Sequence, residues 1–282
     1  MNHFDYFKPQ SLEEVWDLGK KFPGAQYIAG GTDLMVKIKN RTIMPQTLIS
    51  LRSVSGLPGI EIGEKVRIGA LTTITDLIEH QELGRIFPVL VQAAKRIGSP
   101  QIRNVGTVGG NLCNCSPCAD TALALLILDA RVVLRNSRGS REIALEEFFI
   151  GPGESCLRSG ELMTEIRLDK PASKARAIFM KKGRVKMDLA VASVGVLLEM
   201  EGDTCKKARF AAGSVAPVPL RLKKVEALFK NAVISKEIIQ EAQKIAVNSI
   251  SPISDIRSSA DYRHEIVGVY VKRAVEKLLG NE

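Results

Sequence analysis

Strands and helices arranged in blocks, not in strict alternation, predict an α+β fold for this chain. Three observations carry that prediction. Apolar or alternating runs at Leu162–Leu168, Ala177–Lys181, Leu189–Met200 and Ala208–Ser214 precede two long helical patterns, Ser235–Ile250 and Ser259–Leu279. Upstream of residue 160, short strands are interspersed with helices in no regular repeat. The composition, 45% hydrophobic and 25% charged over 282 residues, can fill one large core or two ordinary ones. With a mean hydropathy of +0.03, it excludes a disordered or fibrous chain.

The first element is a helix over Leu12–Phe22, opened by Ser11 and Glu14 in capping-box spacing. A strand over Ala25–Ala29 runs into Gly30-Gly31-Thr32-Asp33, where Thr32 or Asp33 can cap a helix carrying Leu34, Met35 and Ile38. Gln46–Leu51 reads as a strand, and Ile60–Ile62 with Val66–Ala70 as a hairpin about Gly63–Lys65. Thr72–Glu79 and Pro88–Ile97 read as helices, and Pro100 ends the second stretch. A glycine-rich segment, Val105–Asn111, precedes a helix over Pro117–Leu128. Val132–Leu134 and Arg141–Ala144 bracket a turn at Asn136–Gly139. Lys170–Ala175, polar and proline-containing, is the predicted domain boundary.

No apolar run approaches the roughly 18 residues of a bilayer span. The start, MNHFDYFKPQ, has no stretch of signal-peptide length, so the expectation is a soluble, cytoplasmic protein. The 40 Lys and Arg against 31 Asp and Glu give a net charge of +9. The basic clusters lack interleaved aromatics, which argues against nucleic acid and toward an acidic cofactor or partner subunit. The histidines His3, His80 and His264 show no ligand spacing. Cys113, Cys115 and Cys118 read C-x-C-x-x-C, so three thiolates could bind iron–sulfur or zinc, yet such sites usually take four protein ligands. Incidental small residues are the alternative, and no metal site is assigned.

Two segments share one design: Gly-Gly, a small polar residue, then a helix. They are Tyr27–Leu34 and Thr107–Leu112. Glycine lets backbone N–H groups approach a ligand closely, and consecutive free N–H groups suit a phosphate. Two such loops could grip a pyrophosphate from both sides, whereas either alone reads more readily as a tight turn. Neither fits G-x-G-x-x-G or the P-loop pattern.

IAGGTDL at 28–34, IGSPQIRNVGTVGGNL at 97–112 and S-P-x-A-D at 116–120 resemble the FAD-binding subunit of molybdenum hydroxylases. That family includes xanthine, carbon monoxide and nicotinate dehydrogenases and 4-hydroxybenzoyl-CoA reductase. IGALTTITDL at 68–77, GPG at 151–153 and FMKKGRVKMDLA at 179–190 extend the likeness along the chain. The resemblance implies a two-lobed FAD-binding domain of the vanillyl-alcohol oxidase and p-cresol methylhydroxylase type over 1–173, with lobes at about 1–56 and 57–173. It implies a carbon monoxide dehydrogenase flavoprotein-like α+β domain over 174–282.

By the same resemblance, Ile28, Ala29, Gly30, Gly31, Thr32, Asp33 and Leu34 form a first FAD loop. Thr107, Val108, Gly109, Gly110 and Asn111 form the second. Backbone amides of both would hold the pyrophosphate, helped by the side chains of Thr32, Thr107 and Asn111. Asp120 matches an acid that contacts the cofactor, although an acid also suits the first turn of a helix. Ile97 and Met163 match apolar positions beside FAD and fit a plain core equally. Lys181 matches a lysine near the flavin, where a cation would favour the reduced ring; a solvated surface lysine is the alternative.

The implied function is electron transfer. FAD would take electrons from 2Fe-2S clusters on a small subunit, fed by molybdopterin on a large subunit, and pass them to NAD or another acceptor. The rivals are a self-sufficient FAD oxidoreductase on the same fold and a redox-inactive FAD- or nucleotide-binding scaffold.

Overall fold

The structure, a computed structural model, describes residues 3–280. The first fifty residues build a small parallel sheet. Its elements are β1 (Asp5–Phe7), α1 (Leu12–Lys21), β2 (Gln26–Ile28), α2 (Leu34–Lys39) and β3 (Thr47–Ser50), with strand order β1-β3-β2. β1 escapes the sequence reading because three residues cannot display an alternation. Ser11 accepts the Glu14 amide at 3.2 Å, and the Glu14 carboxylate reaches back to the Gln10 amide at 2.7 Å. The cap therefore forms, with its return bond one residue earlier than in a capping box.

The second unit is a five-stranded antiparallel sheet, in the order β4-β5-β10-β6-β7, with helices covering it. β4 (Ile60–Ile62) and β5 (Lys65–Gly69) form the expected hairpin. Six helices follow: α3 (Ile74–Glu79), α4 (Gln81–Ile86), α5 (Pro88–Ala94), α6 (Pro100–Val105), α7 (Val108–Cys113) and α8 (Asp120–Ile127). Pro100 does more than stop the stretch before it. It opens α6 in the first turn, where its missing N–H costs nothing, behind the N-cap Ser99. His80 has a local role as well, its Nδ1 accepting the Leu83 amide at 3.1 Å at the start of α4. β6 (Arg131–Asn136), β7 (Gly139–Ala144), the short β8 (Phe149–Gly151) and β9 (Glu154–Ser155), and β10 (Leu162–Asp169) complete the unit.

The third sheet is antiparallel: β11 (Ala175–Lys182), β12 (Ala192–Glu201), β13 (Thr204–Gly213) and β14 (Leu220–Arg221). α9 (Lys223–Phe229), the short β15 (Ala232–Val233), α10 (Lys236–Asn248) and α11 (Ala260–Leu279) follow, and the helices share one apolar core with the sheet. β12 begins at Ala192, later than the predicted Leu189, because Gly183–Leu189 loops out toward solvent with Val185, Met187 and Leu189 exposed.

Helix α8 joins the second and third units. All eight of its residues are buried, and Leu123 and Ile127 pack against Gly195 on β12. At its C-terminal end, Asp129 binds Arg209 and Lys207 of β13 and Arg221 of β14. Its N-terminal end carries Asp120 to Lys181 of β11, which places the third sheet on the wall of the site. Among the described residues no helix is long and apolar enough to cross a membrane.

Candidate functional site

The turn after β2, the α7 segment and the end of β11 enclose a cleft of about 570 Å³. Ile28–Leu34 line one side of it, and Ile97, Thr107, Gly109, Gly110 and Asn111 line another. Asp120, Met163 and Lys181 reach it from α8, β10 and β11. Residues separated by more than 150 positions in sequence thus meet at one surface. Val108 is the exception: its side chain is fully buried in the core of the second unit and does not reach the cleft.

The two glycine loops touch. A Cβ at Gly30 would lie 2.0 Å from the Val105 carbonyl oxygen, so only glycine lets the first loop cross the backbone leading into α7. Beyond that crossing, the amides of Gly30, Gly31, Thr32, Asp33 and Leu34 have no acceptor among the described residues. All five residues line the cleft, and a run of amides with no acceptor of their own suits an anion.

The second loop differs from its expected form. Its glycines lie inside the first turn of α7, not in an open loop before a later helix. The Val108 amide donates to Thr72 O (3.0 Å), Gly109 to Ala70 O (2.8 Å), Gly110 to Thr107 Oγ1 (3.1 Å) and Asn111 to Thr107 O (2.9 Å). Gly109 is required by packing, since its Cβ would fall 2.6 Å from Ala70 Cβ. The sequence predicts two amide cradles and the structure contains one. What the second loop offers is side chains: the Thr107 hydroxyl, and the Asn111 Nδ2 group, whose Oδ1 is taken by Thr121 Oγ1 at 2.6 Å.

At another part of the wall, Lys181 Nζ donates to Asp120 Oδ2 at 2.6 Å and to Arg96 O at 3.0 Å. Both side chains are under 5% exposed, so Lys181 is no solvated surface residue. Asp120 Oδ1 is buried with no hydrogen-bond partner among the described residues. Burial pushes the Asp120 carboxyl up to about 6, against the pull of Lys181 and Arg96. An unpaired buried oxygen is costly, and a donor on a bound ligand would relieve it.

The clustered cysteines differ in burial. Cys113 and Cys118 border the cleft, whereas Cys115 is fully buried with its thiol donating to Leu112 O at 3.4 Å. Burial pushes Cys113 up to about 12 and Cys115 up to about 11, which holds both as thiols. Among the described residues no three His, Cys, Asp or Glu side chains are placed to hold a metal ion.

Sequence reasoning missed Lys37 and Asn114. Both line the cleft, and Lys37 Nζ donates to Asn114 Oδ1 at 3.0 Å across 77 residues. Met187, Asp188 and Leu189 also line it, from the loop between β11 and β12. The FMKKGRVKMDLA segment carried a signal for that loop, whereas nothing local marks Lys37.

A family described as the FAD binding domain in molybdopterin dehydrogenase matches residues 2–171, and the CO dehydrogenase flavoprotein C-terminal domain matches 177–278. The nicotinate dehydrogenase FAD-subunit of Eubacterium barkeri is 34% identical, over 99% of this chain and 97% of its own. The structure of carbon monoxide dehydrogenase from Hydrogenophaga pseudoflava superposes with a TM-score of 0.96 at 33% identity, over 99% of this chain and 98% of that one. That of quinoline 2-oxidoreductase from Pseudomonas putida superposes at 0.93 with 27% identity, over 99% and 98%. The chain belongs to the molybdenum hydroxylase family, as its FAD-binding flavoprotein subunit and part of an oxidoreductase.

Proposed function

We propose that the cleft holds FAD with its diphosphate on the Gly30–Leu34 amides, and that the protein relays electrons from iron–sulfur clusters to NAD or another acceptor. One observation carries the placement: five consecutive amides, Gly30–Leu34, have no acceptor among the described residues, and all five residues line the cleft. The unpaired Asp120 oxygen fits as well, because a flavin nucleotide brings N–H and O–H donors. When bound, FAD supplies the redox chemistry, exchanging electrons one or two at a time.

This chain's residues hold and insulate it. Thr107 and Asn111 add side-chain donors around the diphosphate, and Thr32 joins them when its hydroxyl turns away from Asp33. Ile97 and Met163 give the cleft an apolar surface that excludes water. Asp120 and Lys181 present a fixed, nearly neutral ion pair, with Asp120 Oδ1 left to accept one hydrogen bond.

The partners in this reading are a molybdopterin-binding large subunit and a 2Fe-2S small subunit. Relatives named as FAD-subunit and medium chain support it, since such names belong to multi-subunit enzymes. The domain division at about residue 173 rests on the change of sheet between β10 and β11, with the two lobes meeting near residue 56.

The test is to purify the chain with its co-expressed neighbours, assay molybdenum, iron and flavin, then reduce the complex and mix it rapidly with NAD. The reading requires all three in the complex and flavin reoxidation as fast as turnover, by NAD or by a substitute such as ferredoxin or a quinone. A complex that turns over substrate while its flavin stays reduced would overturn it.

A further inference from the structure

Six ionised side chains line the cleft: Asp33, Lys37, Asp120, Glu161, Lys181 and Asp188. Four are neutralised within the chain. Asp120 pairs with Lys181 at 2.6 Å, Glu161 with Arg141 at 2.8 Å and Asp188 with Arg184 at 2.6 Å. Asp33 and Lys37 remain, and among the described residues neither forms an ion pair. They stand close together nonetheless, held apart by one amide. Asn114 Oδ1 accepts from Lys37 Nζ at 3.0 Å, and Asn114 Nδ2 donates to Asp33 Oδ1 at 3.2 Å. Thr32 Oγ1 donates to the other Asp33 oxygen at 3.4 Å. The spacer fixes the carboxylate and keeps the ammonium from collapsing onto it.

We propose that Lys37 is the cation that meets the diphosphate of the bound dinucleotide, and that it makes the cleft select a diphosphate-bearing flavin over one without it. The inference rests on the placement of the diphosphate at Gly30–Leu34. Those amides supply dipoles but no net charge, while a diphosphate brings two negative charges beside the negative Asp33. Lys37 lies one helical turn beyond Leu34 and, among the described residues, is the cleft-lining cation with no ion-pair partner. A charge-assisted contact of that kind is stronger than a neutral one. The amide spacer keeps the cation available until the anion arrives.

The experiment strips flavin from the full chain and titrates FAD and riboflavin by fluorescence quenching. It compares wild type, Lys37→Met, Lys37→Arg and Asn114→Ala at several salt concentrations. Lys37 is exposed, so its replacement leaves the core untouched. Lys37→Met should weaken FAD about tenfold, leave riboflavin unchanged and flatten the salt dependence. Lys37→Arg should retain most of the affinity, and Asn114→Ala should weaken FAD selectively by letting Lys37 pair with Asp33. Unchanged FAD binding in Lys37→Met, or equal loss for FAD and riboflavin, would overturn the role of Lys37. A wild-type chain that binds FAD no better than riboflavin would instead remove the diphosphate placement itself, and this proposal with it.

Discussion

Lys181 of β11 and Asp120 of α8 are joined by a 2.6 Å ion pair, with both side chains more than 95% buried. The family resemblance implies Lys181 as a cation near the flavin, and the pairing changes what it can do there. A buried cation with its counter-ion in contact acts on a neighbouring ring as a dipole, so each partner masks the other's effect. Asp120→Asn should raise the reduction potential of the bound flavin and Lys181→Met should lower it. The shifts should be opposite in sign and on the order of 30 mV for the two-electron couple. Spectroelectrochemical titration checks this, and the double variant should return toward wild type.

The same carboxyl sets a pH dependence of stability. Its folded value of about 6 lies above the ordinary carboxyl value of 3.8, because burial disfavours the charged form. Between those values the folded state binds more protons than the unfolded state, so this group's contribution falls as pH rises from 4 to 6. Below pH 4 the penalty is absent, and above 6 it is complete. Compared with wild type, the Asp120→Asn, Lys181→Met double variant should lack this decline in urea unfolding measured from pH 4 to 7. Parallel curves would show that Asp120 does not titrate in that window.

Asp129 should behave in the opposite sense. Burial raises its carboxyl, but hydrogen bonds from Arg209 and Lys207, with their charges, outweigh this and bring it to about 2. Its stabilisation is therefore complete above pH 4 and is lost as pH falls from 4 to 2. Asp129→Asn should cost about 1–3 kcal/mol at pH 7 and shift the acid-unfolding midpoint upward.

Two glycines should prove intolerant for different reasons. Gly109→Ala forces a methyl against Ala70 and should destabilise the fold by about 1–3 kcal/mol. Gly30→Ala, against the Val105 carbonyl, should displace the first loop and weaken FAD binding as well as lowering Tm. Thermal melts with and without FAD separate the two, since only Gly30→Ala should lose the ligand-induced rise in Tm.

Much of this was legible in the sequence, for reasons that particular residues show. Ser11 caps the helix that its spacing with Glu14 announced, and the helical patterns read from Ser235 and Ser259 form with those serines as caps. The helix read over Pro117–Leu128 forms over Asp120–Ile127 and is buried throughout. The failures share a cause, which is contact between distant residues. Two glycines at 109 and 110 argue against a helix on propensity, yet the carbonyls of Ala70 and Thr72 cap α7 and override it. That long-range capping takes the Val108 and Gly109 amides, and Thr107 takes those of Gly110 and Asn111. The Lys37–Asn114 bond and the Lys181–Asp120 pair span 77 and 61 residues, beyond any local pattern.

The two glycine loops are asymmetric: Gly30–Leu34 has five unpartnered amides among the described residues, whereas Val108–Asn111 has every amide bonded within the chain. Residue-resolved hydrogen exchange of the chain, with and without FAD, measures this asymmetry directly. Gly30–Leu34 should exchange fast in the free protein and gain protection on FAD binding, while Val108–Asn111 should be protected already and change little. Protection gained at Val108–Asn111 with none at Gly30–Leu34 would contradict it.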